Sequence, residues 1–193
     1  MKNSRTLGSA RAAFTLIELL VVITILGILM SMAVGGTSAV KNQARKAQAQ
    51  NDCTGLVVAI KAFYTDYSRY PVPATKTDDV PYEPTRGPEG NKAVVEVLTA
   101  VDAVINPRGV VYYEAKTAKQ GTGGSKVSGI SNGGMFDPWG FTYGIMVDAD
   151  YDGRLIYSGP SLNKLEQDAK VVQGGVGVFS LGDKQKNPLT SWQ

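Results

Sequence analysis

Residues 14–34 read FTLIELLVVITILGILMSMAV, and this apolar run decides the fold of the chain. Its only charged residue is Glu18. A helix needs about 20 apolar residues to cross a bilayer, so the run predicts a membrane-spanning helix. The preceding residues carry Lys2, Arg5 and Arg11 and no acid. This positive charge predicts a cytoplasmic N terminus, with the remainder of the chain on the other side of the membrane.

Physical reasoning on the residues leaves two interpretations of this run. Ser31-Met32-Ala33 has the small-x-small pattern of a signal-peptidase site, which favours a secretory signal peptide, although the run exceeds the usual ~7–15 apolar residues. The second interpretation is a plain, uncleaved anchor. A carboxylate within a span costs roughly 2.5–3.5 kcal/mol on insertion scales, so Glu18 needs a partner that neither interpretation supplies.

Residues 13–20, AFTLIELL, resemble the processing site of type IV prepilins and type II secretion pseudopilins nearly letter for letter. The resemblance implies that a membrane peptidase cuts between Ala13 and Phe14 and methylates the new Phe14 amine. Residues 1–13 would then be a leader peptide, and residues 14–36 would anchor the subunit and later form the filament core. Glu18 would pair with the N-terminal amine of a neighbouring subunit. The family usually has glycine before the cut, where this chain has Ala13.

Residues 37–68 lack proline and predict an amphipathic helix. Apolar residues recur there at helical spacing, at Cys53, Leu56, Val57, Ile60, Phe63, Tyr64 and Tyr67. We expect this helix to continue from the apolar run and to end before YPVP at residues 70–73, because proline disfavours helix at its own position and the one before. Cys53 lies on the apolar stripe and is expected to be a buried thiol.

The remainder of the chain predicts an α+β fold, in which the outer half of the long helix packs on a small antiparallel sheet of three or four strands. Residues 37–193 would form this pilin-like periplasmic domain. We expect a loop at 71–90, a short helix at 93–104, a strand at 110–114, a mobile glycine-rich loop at 121–134, a hairpin or strand-loop-strand unit at 141–158, and a strand at 176–181.

Two further motifs resemble the major pseudopilin of type II secretion: DPWG at 137–140, followed by Tyr143, and FSLG at 179–182, followed by Trp192. The resemblance implies a subunit of a homo-oligomeric secretion pseudopilus. It would start as a single-pass protein of the bacterial inner membrane and then enter a periplasmic filament. Its partners would be the prepilin peptidase/methyltransferase, minor pseudopilins and the inner-membrane assembly platform. The alternative is a type IV pilin for adhesion, motility or DNA uptake; such pilins often carry a C-terminal cysteine pair, and this chain has one cysteine.

Composition argues against an enzyme and against a nucleic-acid-binding protein. The chain has no histidine, so histidine-based nucleophile pairs and histidine-ligated zinc are excluded. The net charge of +3 equals the three positive charges before the apolar run, which leaves the remainder near neutral. A membrane-tethered hydrolase is the least favoured class, and its only dense acid cluster would be Asp148, Asp150 and Asp152.

The same acid cluster is a candidate calcium site in a chain that is otherwise expected to need no cofactor. Residues 148–153, DADYDG, place Asp148, Asp150 and Asp152 at the alternate positions of the first half of a D-x-D-x-D-G calcium loop. The twelfth position is Gly159, not the bidentate glutamate of a complete loop. A solvated Asp-Gly turn is the competing interpretation. The resemblance implies a different calcium loop, after FSLG, but here Asp183 is followed by KQKNP without adjacent acids.

Overall fold

A computed structural model describes residues 14–35, 37–73, 80–121, 125–157, 170–183 and 188–192. The chain divides into two compact units, Met1–Gln43 and Ala44–Gln193. The predicted α+β class is confirmed, with helices α1 (Leu16–Gly35), α2 (Thr37–Tyr67) and α3 (Lys92–Leu98) and small antiparallel sheets. Gly36 lies outside the described residues, so the continuity of α1 with α2 stays a prediction.

Helix α1 exposes the apolar side chains of the run at residues 14–34. From Phe14 to Met30 its large apolar side chains are between 47% and 82% exposed. Within the described part of the chain, no helix has both the length and the apolar character required to cross a membrane.

Helix α2 forms as predicted and supplies one wall of the core. Its buried stripe consists of Ala49, Cys53, Leu56, Ala59, Ile60 and Phe63. Val57 and Tyr67 are half-buried at the edges, and Tyr64 is exposed. The helix ends at Tyr67, and Ser68 takes the left-handed conformation (φ 54°) just before the proline-containing turn.

Helix α3 is shorter than the predicted 93–104, because the backbone turns at Ala100. Ala100 adopts φ 60°, and the N–H groups of Val101 and Asp102 both donate to the Glu96 carbonyl. The Asp102 carboxylate then accepts the N–H groups of residues 104 and 105. A short acidic side chain that binds the following backbone in this way competes with helix continuation.

Four strands form the main sheet in the order β1-β6-β9-β10, all antiparallel. They are β1 (Val80–Tyr82), β6 (Gly144–Val147), β9 (Val176–Ser180) and β10 (Leu189–Thr190). Both faces of the two central strands are buried. Ile145, Val147 and Val178 join the core that contains the α2 stripe, whereas Met146 and Phe179 pack with Leu155, Leu181 and Trp192. A side chain at Gly144 would collide with the Phe179 ring opposite it.

Three two-stranded sheets complete the described part of the structure. They are β2 (Lys119–Gln120) with β3 (Lys126–Val127), β4 (Gly129–Ser131) with β5 (Gly134–Phe136), and β7 (Arg154–Tyr157) with β8 (Lys170–Gln173). Strand β9 confirms the prediction at 176–181. Of the two predictions for 141–158, the strand-loop-strand unit is confirmed, because β6 and β7 belong to different sheets.

Three other sequence predictions are wrong. Residues 110–114 do not form a strand; the N–H groups of Tyr112 and Tyr113 both donate to the Leu98 carbonyl, which holds the segment against the end of α3. Residues 121–134 are not a loop throughout, since β3 and β4 lie within them. Strand β1 lies in the predicted loop at 71–90. The main sheet has four strands, within the expected three or four, and the other described strands form separate two-stranded sheets.

The buried thiol of Cys53 provides a test of this core. Cys53 has no exposed surface, and burial, reinforced by the Asp52 and Asp137 carboxylates, raises the pKa of its thiol to about 12. The nucleophilic thiolate is therefore scarce at neutral pH. We expect iodoacetamide at pH 8 to leave Cys53 unmodified in the folded protein and to alkylate it fully in denaturing urea, as measured by intact mass. Alkylation of the folded protein at the rate of a free thiol would contradict the core assignment.

Candidate functional site

Thr15 and Glu18 form a reciprocal cap at the start of α1. Glu18 Oε2 accepts hydrogen bonds from the Thr15 backbone N–H at 2.9 Å and from the Thr15 hydroxyl at 2.8 Å. In return, the Glu18 N–H donates to Thr15 Oγ1 at 3.3 Å. This arrangement is a capping box, which satisfies backbone groups that the first helical turn leaves unpaired. Glu18 therefore orders the beginning of its own helix, a role that the T-x-x-E spacing could have predicted.

The proposed processing site lies at the same helix start. Phe14 is 76% exposed, and it shares a surface patch with Ile17, Glu18, Val21 and Val22. Ala13 and the remainder of the leader lie outside the described residues, so cleavage between Ala13 and Phe14 stays a prediction. The patch is apolar apart from one carboxylate, which is an arrangement suited to contact with another apolar helix.

A buried carboxylate joins the two motifs that carried the second resemblance. Asp137, from DPWG, accepts a 2.6 Å hydrogen bond from the Ser180 hydroxyl of FSLG. Its other oxygen accepts the N–H groups of Trp139 and Phe141 at 2.9 and 3.0 Å. Burial raises the pKa of Asp137, and these hydrogen bonds oppose the rise. Through these hydrogen bonds, both carboxylate oxygens hold the turn after β5 against β9.

The aromatic residues of these motifs are also structural. The Tyr143 side chain is completely buried, and its hydroxyl donates to Asp52 of α2 at 2.8 Å. Trp192 packs edge-on against Phe179, with the ring centroids 6.1 Å apart. These contacts tie the helix, the main sheet and the C-terminal segment together, which gives the motif residues a structural role.

The three aspartates of the candidate cation site lie together in the loop between β6 and β7. One carboxylate oxygen from each of Asp148, Asp150 and Asp152 lies within 4.8 Å of the others. Asp148 is buried, with 3% of its surface exposed, whereas the other two are exposed. Burial and the neighbouring Asp150 carboxylate raise the pKa of Asp148. The loop backbone is tightly turned, since Tyr151 and Gly153 both have positive φ angles of 63° and 78°.

Other residues of the expected calcium sites lie outside the described residues. Gly159, the twelfth position counted from Asp148, lies outside the described residues. Asp183 is described, but residues 184–187 after it are not, so the C-terminal calcium loop implied by the resemblance is not tested.

A separate open cleft of about 670 Å³ lies between α2 and residues 113–135, where Gln48, Asp52 and Lys116 contribute polar groups.

The start of the chain matches a known processing motif. The prokaryotic N-terminal methylation motif matches residues 8–34. The resemblance to prepilin-like proteins is confirmed. The match includes residues 8–13, the Ala13–Phe14 junction and Glu18.

Curated relatives come from type II secretion systems. The chain is similar to type II secretion system core protein G of Aeromonas hydrophila, with 37% identity over 79 residues, which is 41% of this chain and 55% of the relative. It is similarly related to the core protein G of Dickeya chrysanthemi, with 37% identity over 76 residues (39% and 50%), and of Pectobacterium carotovorum subsp. carotovorum, with 34% over 82 residues (42% and 53%). The chain thus spans about half the length of the curated relatives it matches. No solved structure gives a significant match.

The link between the two motifs can be tested through Asp137. We expect Asp137→Ala to reduce the free energy of unfolding by roughly 2–4 kcal/mol, because two backbone N–H groups and the Ser180 hydroxyl lose a buried acceptor. Urea unfolding of the detergent-solubilised protein, followed by tryptophan fluorescence, would measure it.

Asp137→Asn is the matched control for that measurement. The amide keeps an acceptor for the two N–H groups and removes a charge whose burial is unfavourable, so a loss of about 1 kcal/mol is expected. Equal losses for the two variants would contradict the assigned hydrogen-bond roles.

Proposed function

We propose that this protein is a structural subunit of a type II secretion pseudopilus and assembles through its N-terminal helix to support protein export. The observation that carries the proposal is the methylation motif at residues 8–34 in a chain whose curated relatives are named type II secretion system core protein G. The Asp137–Ser180 hydrogen bond supports it further, since it gives the DPWG and FSLG motifs one shared structural purpose.

In this proposal the chain is made as an inner-membrane precursor with its C-terminal domain in the periplasm. The apolar run at 14–34 and the preceding positive charges support a membrane location and this orientation. The prepilin peptidase/methyltransferase removes residues 1–13 and methylates Phe14. The mature subunit then joins a homo-oligomeric filament with minor pseudopilins and an inner-membrane assembly platform.

The exposed surface of α1 supplies the driving force for assembly. Its large apolar side chains are about half or more exposed in the chain taken alone. Packing against the same helix of neighbouring subunits transfers this surface from lipid to protein, where van der Waals packing favours association. Cleavage also creates a cationic amine at Phe14, one helical turn from Glu18. A neighbouring carboxylate that lacked such a cation would be left uncompensated in apolar surroundings, which is strongly unfavourable.

The carboxylates and the thiol that could suggest an enzyme have structural explanations instead. Cys53 is a buried protonated thiol, and both oxygens of Asp137 accept hydrogen bonds within the fold. Relatives named core proteins of a secretion system agree with a non-enzymatic role. A type IV pilin shares the N-terminal motif and remains the alternative. Loss of protein export, rather than of surface adhesion, twitching motility or DNA uptake, after deletion of the gene would decide for the pseudopilin.

Processing provides the first test of this function. We expect the mature protein extracted from membranes to begin at Phe14 and to carry one N-terminal methyl group, as measured by mass spectrometry of the N-terminal peptide. A terminus just after Ala33 would instead establish a signal peptide. An intact N terminus at Met1 would establish a plain anchor.

Glu18→Gln separates the charge of Glu18 from its capping role. Glutamine can replace glutamate in a capping box, so the helix start is kept while the charge is lost. We expect this variant to enter the membrane and to be processed normally, but to lower the yield of sheared filaments at least tenfold, measured by immunoblot.

Thr15→Ala is the matched control, since it removes the hydroxyl that Glu18 contacts and leaves the carboxylate in place. It should retain at least half of the filament yield. If Thr15→Ala abolished filaments while Glu18→Gln did not, helix capping rather than charge pairing would be the function of Glu18.

A further inference from the structure

Asp148 differs from the other fully buried aspartate of the described core in how its carboxylate is satisfied. Both oxygens of Asp137 accept hydrogen bonds. In Asp148, Oδ2 accepts the Gly153 N–H at 3.0 Å, but Oδ1 is buried without any hydrogen-bond partner. The residue is only 3% exposed, so bulk water does not compensate for this. A buried carboxylate oxygen without a donor or a cation is energetically costly.

The surroundings of Asp148 add to the energetic cost of its unpartnered oxygen. Two further carboxylates of the loop, Asp150 and Asp152, lie close to Asp148, with one oxygen of each of the three within 4.8 Å of the others. Among the described residues, no lysine or arginine forms an ion pair with any of the three. Like charges at this separation repel one another, and a shared cation is the simplest way to relieve both the repulsion and the unpartnered oxygen.

We propose that this loop binds one calcium ion through Asp148, Asp150 and Asp152. The three carboxylates occupy positions 1, 3 and 5 of the loop, and Gly153 occupies position 6, where calcium loops require glycine for a sharp turn. Gly153 has φ 78°, as such a turn demands. Arg154 occupies position 7, which supplies a backbone carbonyl ligand in calcium loops. Calcium suits this set because it accepts six to eight oxygen ligands in flexible geometry, waters included.

The neighbouring aromatic residues indicate what the ion would stabilise. Tyr151, inside the loop, stacks on Tyr70, with the ring centroids 5.6 Å apart, and Tyr70 packs on Tyr64 of α2 at 4.7 Å. The Asp148 N–H also donates to the Gly175 carbonyl at the start of β9. Bound calcium would therefore hold the loop against the end of α2 and against the residue that precedes β9, a central strand of the main sheet. This role does not depend on the filament function, so either proposal can fail alone.

Calcium titration of the full-length protein in EDTA-treated detergent micelles tests the site. We expect one calcium ion per chain with a dissociation constant of about 10⁻⁴–10⁻³ M by isothermal titration calorimetry, the range of extracellular calcium modules. At 10 mM calcium this corresponds to a rise in Tm of roughly 3–10 °C. The near-ultraviolet circular dichroism of the stacked tyrosines should change with the same midpoint. No heat and no change in Tm at 10 mM calcium would overturn the proposal.

Variants of the exposed aspartates identify the ligands without disturbing the core. Asp150→Ala/Asp152→Ala should weaken calcium binding at least tenfold. Glu89→Ala/Glu114→Ala, which removes the same charge from two exposed carboxylates elsewhere, should leave binding unchanged. Equal calcium binding by the two double variants would overturn the assignment, because it would place the ion elsewhere. Magnesium at 10 mM should give less than half of the Tm rise, and an equal rise would overturn the choice of calcium.

Discussion

Burial of one face of α2 against the main sheet is the constraint on which the described residues from α2 onward depend. Cys53, Leu56, Ile60 and Phe63 have no exposed surface, and their packing partners come from the sheet and from α3. Polar contacts fix where the helix lies on that surface. The Gln50 side chain donates to the Thr190 carbonyl at 3.1 Å, and the Tyr143 hydroxyl donates to Asp52. A shift of α2 by one turn would leave these buried or half-buried groups without partners, so packing and hydrogen bonding select the same position.

The two helices differ in how their apolar residues are arranged and covered. In α2 the apolar residues form a stripe that the domain itself covers, whereas in α1 they surround the helix and stay exposed in the chain taken alone. Apolar residues on all sides are typical of a helix that is buried in lipid or among other helices. The capping box at Thr15 and Glu18 stabilises the start of α1 within its own chain. The start of α1 therefore does not depend on a partner for its hydrogen bonds, which is compatible with the proposed pairing of Glu18 between subunits.

The helices could be predicted from the sequence because their signals are local. The helical spacing of the α2 stripe and the YPVP terminator predicted its C-terminal end within a residue. The α+β class and β9 followed in the same way. One missed hairpin also had a local signal: Asn132-Gly133 joins β4 to β5 with φ angles of 50° and 85°, and Asn-Gly is the favoured pair for such a turn. The surrounding glycines obscured it.

Other features could not be predicted because they depend on distant residues. β1 pairs with β6 across more than sixty residues, and its short sequence, which contains Pro81, carries little strand signal. Residues 110–114 have the composition of a strand, but hydrogen bonds to Leu98 hold them elsewhere. The candidate cation site likewise has one feature that could be predicted from the sequence and one that could not. The spacing of Asp148, Asp150 and Asp152 was visible in the sequence. The sequence did not show that Asp148 would be buried while the other two are exposed.

The contrast between Asp137 and Asp148 shows how two carboxylates of one small fold acquire different purposes. Both are buried, and burial raises the pKa of each. Asp137 meets donors supplied by the backbone of its own turn and by Ser180, so its charge is compensated within the protein. Asp148 meets the backbone N–H groups of Gly153 and Tyr151 and the carboxylate of Asp150, and its Oδ1 has no hydrogen-bond partner, so its compensation is incomplete. A fold retains an incompletely compensated buried charge at a net cost unless something outside the chain completes it. The first environment is that of a structural residue, and the second is the one that the proposed calcium ion would complete.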